Sequence, residues 1–362
     1  MAVYATAMTV SVLIVDDSAT CRMALRQALL SDPEIRVVGE AADGEEALAL
    51  LSRLEPDIVT MDVLLGKQSG LDVTESIMST APRPILVLTA MNTSDRDLVY
   101  RAIRAGALDV WPKLPSAGSP GHLRARQDLV RVLKDLSRVP VVHRWKRASP
   151  GPVVRPRPEA PPVAAGAAPR VLGIGASTGG PPVVSSVLER LPLPLPLSVV
   201  IVQHIAQGFA HGFADWLGDT TGHDVSVVEE PLEIQGGKVY VAPDGRHVEF
   251  ASPRRLATSA SPPRLRHRPS IDTLFESMAV HLGAASIAVL LTGMGQDGVE
   301  GMALLRESGA LTIAQDPQTC AVDSMPRHAI ERAAARLVLS PEDIGEALLK
   351  HLRARLGADA HP

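Results

Sequence analysis

The sequence predicts an α/β protein with two domains, each built on a doubly wound parallel sheet. Short apolar runs alternate with amphipathic stretches over the first 136 residues, and the alternation resumes at Val171. Buried parallel strands have this apolar character because helices cover both faces of their sheet. A length of 362 residues also suits about two domains.

The first domain is predicted over residues 10–136 as a flavodoxin-like fold with five βα units. Its strands are expected in five apolar runs: Val12–Val15, Arg36–Gly39, Ile58–Met61, Ile85–Leu88 and Leu108–Val110. Its helices are expected at Ala19–Leu30, Glu45–Leu54, Gly70–Met78, Asp95–Ala105 and Leu123–Leu136. Folds of this class bind ligands at the carboxyl ends of their strands, where the chemistry of this domain is expected.

A linker over residues 137–169 is predicted to separate this domain from a second one over residues 170–355. Residues 137–170 hold eight prolines, seven lysines or arginines and one glutamate, a composition that buries little apolar surface. Strands of the second domain are expected at Val171–Ile174, Val199–Gln203, Val225–Val228, Val239–Ala242, Ser286–Leu291 and Leu311–Ala314. Its helices are expected at Pro182–Arg190, Ile271–Leu282, Val299–Ser308 and Pro341–Leu356.

Composition and charge exclude several classes of protein. A net charge of −4 favours no nucleic-acid partner, and Cys21 and Cys320 form neither a metal motif nor a disulfide framework. The apolar run Val10–Val15 has no basic residue before it, and prolines interrupt Leu191–Val202. We therefore expect no signal peptide, no membrane insertion and a cytoplasmic location. We also expect a monomer.

Five side chains are expected at one rim of the first sheet. Asp16 and Asp17 follow the first strand, Asp62 follows the third, Thr89 ends the fourth and Lys113 follows the fifth. Converging carboxylates repel one another unless a cation is bound, and oxygen ligands favour Mg²⁺. A hydroxyl and an ammonium group at the same rim suit the oxygens of a phosphoryl group.

These five residues resemble those of a response-regulator receiver. The resemblance implies that Asp62 accepts a phosphoryl group from a histidine kinase, while Asp16, Asp17 and Asp62 hold Mg²⁺ with a backbone carbonyl near Leu64. It further implies that Thr89 and Lys113 form the switch.

The receiver resemblance is incomplete at three positions. The chain has Gly66 where receivers usually have proline, Leu114 where they have proline after the lysine, and Val110 in place of an aromatic switch residue. The strength of phosphoryl control is therefore left open.

Ser177 lies in a glycine-rich segment, Gly173–Pro181, that follows a strand and opens a helix. The segment partly matches a dinucleotide fingerprint, but Thr178 stands where the third glycine belongs and no acidic residue ends the next strand. Gly175-x-Ser177-x-Gly179 instead has the spacing of a nucleophile elbow. This reading predicts an exposed serine hydroxyl at a sharp strand-to-helix turn.

His204 and Asp297 are the candidate partners of that serine. His204 ends the next strand on the same rim, and Asp297 lies in the loop Leu291–Gly298 after another apolar strand. An imidazole there could act as general base, and the loop amides could donate to an oxyanion. The chain order serine, histidine, aspartate differs from that of the α/β-hydrolases.

Five segments together resemble CheB-type protein-glutamate methylesterases. They are Ile174–Gly180, Gln203-His204, Val241–Pro243, Arg268–Asp272 and Leu291–Gly298. The resemblance implies hydrolysis of receptor glutamate methyl esters to methanol and glutamate, with deamidation of receptor glutamines as a second activity.

The methylesterase resemblance also implies roles for residues and partners. Ser177 is the nucleophile, His204 the base and then acid, Asp297 its orienter, while Thr178 assists and the backbone near Met294 contributes to the oxyanion hole. A CheA-type histidine kinase donates the phosphoryl group, methyl-accepting chemoreceptors are the substrates, and the esterase chemistry needs no cofactor.

Two other functional classes stay open on sequence alone. The second domain could be a binding module that keeps the fold without catalysis, since function belongs to sites rather than folds. It could also be a nicotinamide-dependent oxidoreductase, although the glycine pattern is broken. A DNA-binding output has no recognisable helix-turn-helix behind it.

Overall fold

The protein consists of two compact units, Met1–Val153 and Val154–Pro362. The structure, a computed structural model, describes residues 9–90, 98–139, 141, 171–205, 208–265 and 267–358. Both units are α/β, which confirms the predicted fold class. Most of the predicted linker and the predicted helix start at Asp95 lie outside the described residues.

The first unit contains a five-stranded parallel sheet. Its strands and a short hairpin are β1 (Val10–Val15), β2 (Ile35–Ala41), β3 (Ile58–Asp62), β4 (Leu64–Leu65), β5 (Gln68–Ser69), β6 (Ile85–Thr89) and β7 (Asp109–Pro112). Its helices are α1 (Ala19–Leu29), α2 (Gly44–Leu54), α3 (Gly70–Thr80), α4 (Leu98–Ala105) and α5 (His122–Leu136). The strand order β2-β1-β3-β6-β7 puts the carboxyl ends of β1, β3 and β6 side by side, as the flavodoxin-like prediction requires.

The second unit contains a seven-stranded parallel sheet and a small antiparallel one. Its strands are β8 (Val171–Ala176), β9 (Ser198–Gln203), β10 (Asp224–Val227), β11 (Leu232–Glu233), β12 (Lys238–Val241), β13 (His247–Ser252), β14 (Arg255–Ser259), β15 (Ser286–Leu290), β16 (Leu311–Gln315) and β17 (Leu337–Leu339). Its helices are α6 (Gly180–Glu189), α7 (Ala210–Thr221), α8 (Ile271–His281), α9 (Val299–Glu307), α10 (Ser324–Glu331) and α11 (Pro341–Ala358). The large sheet has the order β10-β12-β9-β8-β15-β16-β17, so β8 lies centrally between β9 and β15. Across the described parts of both units, no helix has the length and apolar character needed to cross a membrane.

Several elements of the second unit were not predicted from the sequence. Strands β13 and β14 form an antiparallel pair that exposes one side, so they lack the continuous apolar run of a buried parallel strand. Helix α7 contains two glycines, and α10 carries a proline in its first turn, which weakens the helical signal in both. Strand β17 has only three residues.

Helix α8 packs directly against the central strand β8, and two glycines make this close approach possible. A Cβ atom at Gly173 would lie 2.6 Å from the sulfur of Met278, and one at Gly175 would lie 2.4 Å from Cγ2 of Ile271. The packing of α8 therefore explains why glycine stands at both positions, and a dinucleotide is not needed to explain them. The approach brings the first turn of α8 to the carboxyl end of the sheet.

Phe275 offers a test of this packing, because its side chain is fully buried on α8 in the core of the second unit. We expect Phe275→Ala to lower the free energy of unfolding of that unit by about 3–5 kcal/mol, since the substitution removes apolar contacts and leaves a cavity. Urea denaturation of the full chain measures the change. Val280 on the same helix is 78% exposed and provides the control, because Val280→Ala should change stability little. Equal stability of the two variants would contradict the packing of α8.

Candidate active site

Ser177 occupies the tight turn between β8 and α6. Its amide donates to the carbonyl of Thr292 at 3.0 Å, and its own carbonyl accepts the amide of Gly180 at 2.8 Å. Gly179 has a φ of +72°, a conformation that favours glycine, and a Cβ atom there would lie 2.3 Å from Cβ of Ala321. The turn therefore has the sharp strand-to-helix geometry predicted from the glycine spacing, although the Ser177 residue as a whole is largely buried.

His204 lies immediately after β9, beside the end of β8. Gln203 pairs in register with Ala176, and the amide of His204 donates to the carbonyl of Ala176 at 2.9 Å. The Gln203 side-chain amide donates to the carbonyl of Ser177 at 2.7 Å and to that of His204 at 3.0 Å. This one amide group thus links Ser177 and His204, the residues that directly follow strands β8 and β9.

Asp297 is fully buried and contacts the imidazole of His204. Its Oδ2 atom lies 2.9 Å from Nε2 of His204 and accepts the amide of Ile271 at 2.7 Å. Its Oδ1 atom accepts the hydroxyl of Ser270 at 2.8 Å and the amide of Asp272 at 3.0 Å. The carboxylate therefore sits at the N-terminus of α8, where backbone amides and the helix dipole favour negative charge.

The charge on Asp297 determines which nitrogen of His204 carries the proton. Burial raises the pKa of Asp297, but the hydrogen bond and charge of His204 and the amides of Asp272 and Ile271 outweigh burial and lower it to about 2. The ionised carboxylate accepts the hydrogen of Nε2, so a neutral ring keeps its lone pair on Nδ1. Among the described residues, the buried Nδ1 atom has no hydrogen-bond partner.

The loop after β15 is tied to the turn that carries Ser177. The hydroxyl of Thr292 donates to the carbonyl of Thr178 at 3.1 Å, while the amide of Thr292 donates to the buried Gln315 at 2.8 Å. Thr178 is buried, and Met294 is half-buried in the same loop. The structure thus brings the two predicted supporting residues to the same end of the sheet.

His267 was missed by sequence reasoning, although its ring lies flat against that of His204. The two ring centroids are 3.9 Å apart and the ring planes differ by 2°. The available sequence signal was slight: His267 directly precedes Arg268, the first residue of one of the motif segments. A single histidine without periodic spacing gives no indication of what it contacts.

The five predicted rim residues of the first unit also lie at neighbouring strand ends. Asp16, Asp17 and Asp62 each contribute one carboxylate oxygen, and these three oxygens lie within 4.8 Å of one another. A set made only of oxygen atoms suits Mg²⁺. Nζ of Lys113 lies 2.7 Å from carboxylate oxygens of both Asp16 and Asp62. Burial raises the pKa of Asp62, and the hydrogen bond from Lys113 opposes that shift. Thr89 is buried at the end of β6.

Gly66 shows what one departure from the receiver pattern does. It has a φ of +62°, which proline cannot adopt, and its amide donates to Oδ2 of Asp17 at 2.9 Å. Glycine in place of proline at this position therefore adds a hydrogen bond to the acidic cluster.

The second departure from the receiver pattern is Val110, which is buried in β7. The indole of the neighbouring Trp111 donates to Asp109 at 3.2 Å.

Family models match both units of the chain. The response regulator receiver domain matches residues 12–117, and the CheB methylesterase matches residues 172–348. The catalytic domain of Thermotoga maritima CheB methylesterase is 33% identical, covers 51% of this chain and 99% of that one, and gives a TM-score of 0.49. The response regulator domain of Thermotoga maritima CheB is 30% identical, covers 36% of this chain and 98% of that one, and gives a TM-score of 0.33.

Two relatives align with this chain over nearly its whole length, so the alignments include both units. A protein-glutamate methylesterase/protein-glutamine glutaminase of Anaeromyxobacter dehalogenans is 42% identical over 95% of this chain and 99% of its own length. One of Methanospirillum hungatei is 40% identical over 94% of this chain and 97% of its own length. The chain therefore belongs to the family of receiver-containing CheB-type protein-glutamate methylesterases/protein-glutamine glutaminases.

Proposed function

We propose that this chain is a phosphorylation-activated methylesterase that hydrolyses glutamate methyl esters on chemoreceptors to glutamate and methanol. Deamidation of receptor glutamines is its second activity, since an amide can enter the same acyl-transfer chemistry. One observation carries the proposal: Asp297 contacts Nε2 of His204, Nδ1 of that ring has no hydrogen-bond partner among the described residues, and the His204 amide bonds to Ala176, the residue before Ser177. A binding module without catalysis would not need this arrangement.

In the first half of the reaction, Nδ1 of His204 accepts the hydroxyl proton of Ser177. The serine Oγ atom then forms a bond to the ester carbonyl carbon of the substrate, and Asp297 stabilises the imidazolium. When the bond to the methoxy group breaks, His204 returns the proton to that oxygen and methanol leaves. The acyl group of the glutamate stays on Ser177 as an ester.

In the second half, water attacks the acyl group and His204 accepts its proton. The bond to Ser177 breaks, the serine regains its proton from His204, and glutamate is released. Amides of the loop near Met294 are proposed to stabilise the tetrahedral oxyanion, with Thr178 supporting the turn. The hydrogen bond from Thr292 to Thr178 couples this loop to the nucleophile, which supports a joint role.

Asp62 is proposed to accept the phosphoryl group that controls the enzyme. Asp16, Asp17 and Asp62 would hold Mg²⁺, which when bound offsets the negative charge of the carboxylates and the phosphoryl group. Thr89 and Lys113 would complete the switch, since both lie at the same rim. Phosphorylation would relieve a block that the receiver imposes on the esterase.

The receiver and methylesterase matches support the proposed partners. A CheA-type histidine kinase would supply the phosphoryl group, and methyl-accepting chemoreceptors would be the substrates. We place the receiver at residues 10–136, the linker at 137–169 and the catalytic domain at 170–355, in a cytoplasmic monomer that binds no nucleic acid.

Methanol release from a methylated chemoreceptor tests the proposal as a whole. We expect the full chain to release methanol, and a small phosphoryl donor with Mg²⁺ to increase the rate. Ser177→Ala should abolish release because it removes the nucleophile, and Asp62→Ala should abolish only the stimulation. Removal of Mg²⁺ with a chelator should act like Asp62→Ala. Release that persists in Ser177→Ala would refute the assignment of the nucleophile.

The lowered pKa of Asp297 predicts a loss of activity in Asp297→Asn at neutral pH. Because its lowered pKa keeps the carboxylate ionised above about pH 2, its effect on His204 is fully present throughout the working range. The amide should lower kcat by roughly 10⁴-fold, since it disfavours the productive tautomer. The kcat for methanol release at pH 8, where Asp297 is ionised, measures this loss in the variant against wild type. A kcat of Asp297→Asn equal to that of wild type would contradict the role proposed for the ionised carboxylate.

Gly293→Ala should displace the nucleophile. A Cβ atom at Gly293 would lie 2.6 Å from Cβ of Ser177 and 2.4 Å from the sulfur of Met325, so the serine has to move. A shift of about 1 Å costs on the order of 100-fold in rate, which kcat for methanol release would report. Gly218→Ala on α7 is the matched control, because its nearest neighbour is 3.6 Å from the added atom. Wild-type kcat in Gly293→Ala would refute the close packing at the serine.

A further inference from the structure

We propose that His267 is a positioning residue that fixes the plane of the His204 ring by stacking on it. The proposal rests on the proposed function, in which His204 transfers protons through Nδ1. No step of the proposed mechanism involves His267 directly. Its ring is parallel to that of His204 within 2°, at a centroid distance of 3.9 Å.

The need for this contact follows from the bonding of His204. The hydrogen bond from Nε2 of His204 to Oδ2 of Asp297 anchors one edge of the ring. The ring can still tilt about the line that joins Nε2 and Oδ2. Nδ1 has no hydrogen-bond partner among the described residues that would prevent the tilt. A flat aromatic surface against one face does prevent it, because tilting would either separate the rings or make them collide.

His267 is itself held in place, so the stack is part of a built structure. Its amide donates to the carbonyl of Arg264 at 2.7 Å, and the amide of Arg264 donates to the carbonyl of His267 at 3.1 Å. The guanidinium of Arg264 forms an ion pair with Glu276 on α8. The turn that carries His267 is therefore anchored to the same helix whose first turn holds Asp297.

The segment that begins at His267 contacts both the imidazole of His204 and its partner Asp297. Three residues further on, Ser270 donates its hydroxyl to Asp297, and the amides of Ile271 and Asp272 follow. The guanidinium of Arg268 donates to the carbonyl of Ala260 at 3.1 Å, which ties the start of the segment to the preceding loop. The stretch from His267 to Asp272 thus binds the carboxylate of Asp297 and also packs against one face of the His204 ring.

Four variants of the full chain, phosphorylated in the presence of Mg²⁺, test the proposal through kcat and KM for methanol release. His267→Ala and His267→Gln remove the flat ring and should each lower kcat by about three- to tenfold at unchanged KM. His267→Phe keeps a ring of similar shape and should retain at least about half of the wild-type kcat. His281→Ala, at a half-buried histidine on α8, is the matched control and should keep wild-type kcat.

The outcomes separate this proposal from the proposed function. If Ser177→Ala is inactive while His267→Ala and His267→Gln keep wild-type kcat, the esterase stands and the positioning role is refuted. The role is also refuted if His267→Phe is as slow as His267→Ala, or if the variants change KM alone. Thermal unfolding of each variant identifies any loss of folding, and rescue by phenylalanine together with unchanged KM supports positioning.

Discussion

The architecture of the catalytic unit depends on keeping one buried carboxylate ionised. Removing the charge of Asp297 from water is costly, and only charge-assisted hydrogen bonds can offset that cost. Four groups provide them: the imidazole of His204, the hydroxyl of Ser270 and the amides of Ile271 and Asp272. Three of these four belong to the start of α8, so the position of that helix determines whether the carboxylate is tolerated.

The close approach of α8 to β8 explains the glycine-rich segment in packing terms. Gly173 and Gly175 leave room for Met278 and Ile271, and this contact carries the helix N-terminus to the end of the sheet. The same glycines that partly matched a dinucleotide fingerprint therefore serve the acid of the proposed triad indirectly. Both units place their polar chemistry at the carboxyl ends of parallel strands, where loops meet above a rigid sheet.

Sequence reasoning predicted the proximity of residues that end neighbouring strands, and it missed contacts between loops. Ser177 and His204 end adjacent strands, so apolar runs and the parallel topology were enough to predict their proximity. Nothing local indicates that Gln203 clamps both of them or that His267 stacks on His204, because these contacts arise only when the chain has folded. The antiparallel strands β13 and β14 were missed because their half-exposed pattern does not resemble that of the parallel strands.

The hydrogen bond between His204 and Asp297 joins residues 93 positions apart, and that between Thr292 and Thr178 spans 114. During synthesis, Ser177 and His204 leave the ribosome well before Asp297. Contacts of such long sequence separation form late, because a large loop must close first. A nascent chain that still lacks Asp297 therefore also lacks the carboxylate that anchors the ring of His204.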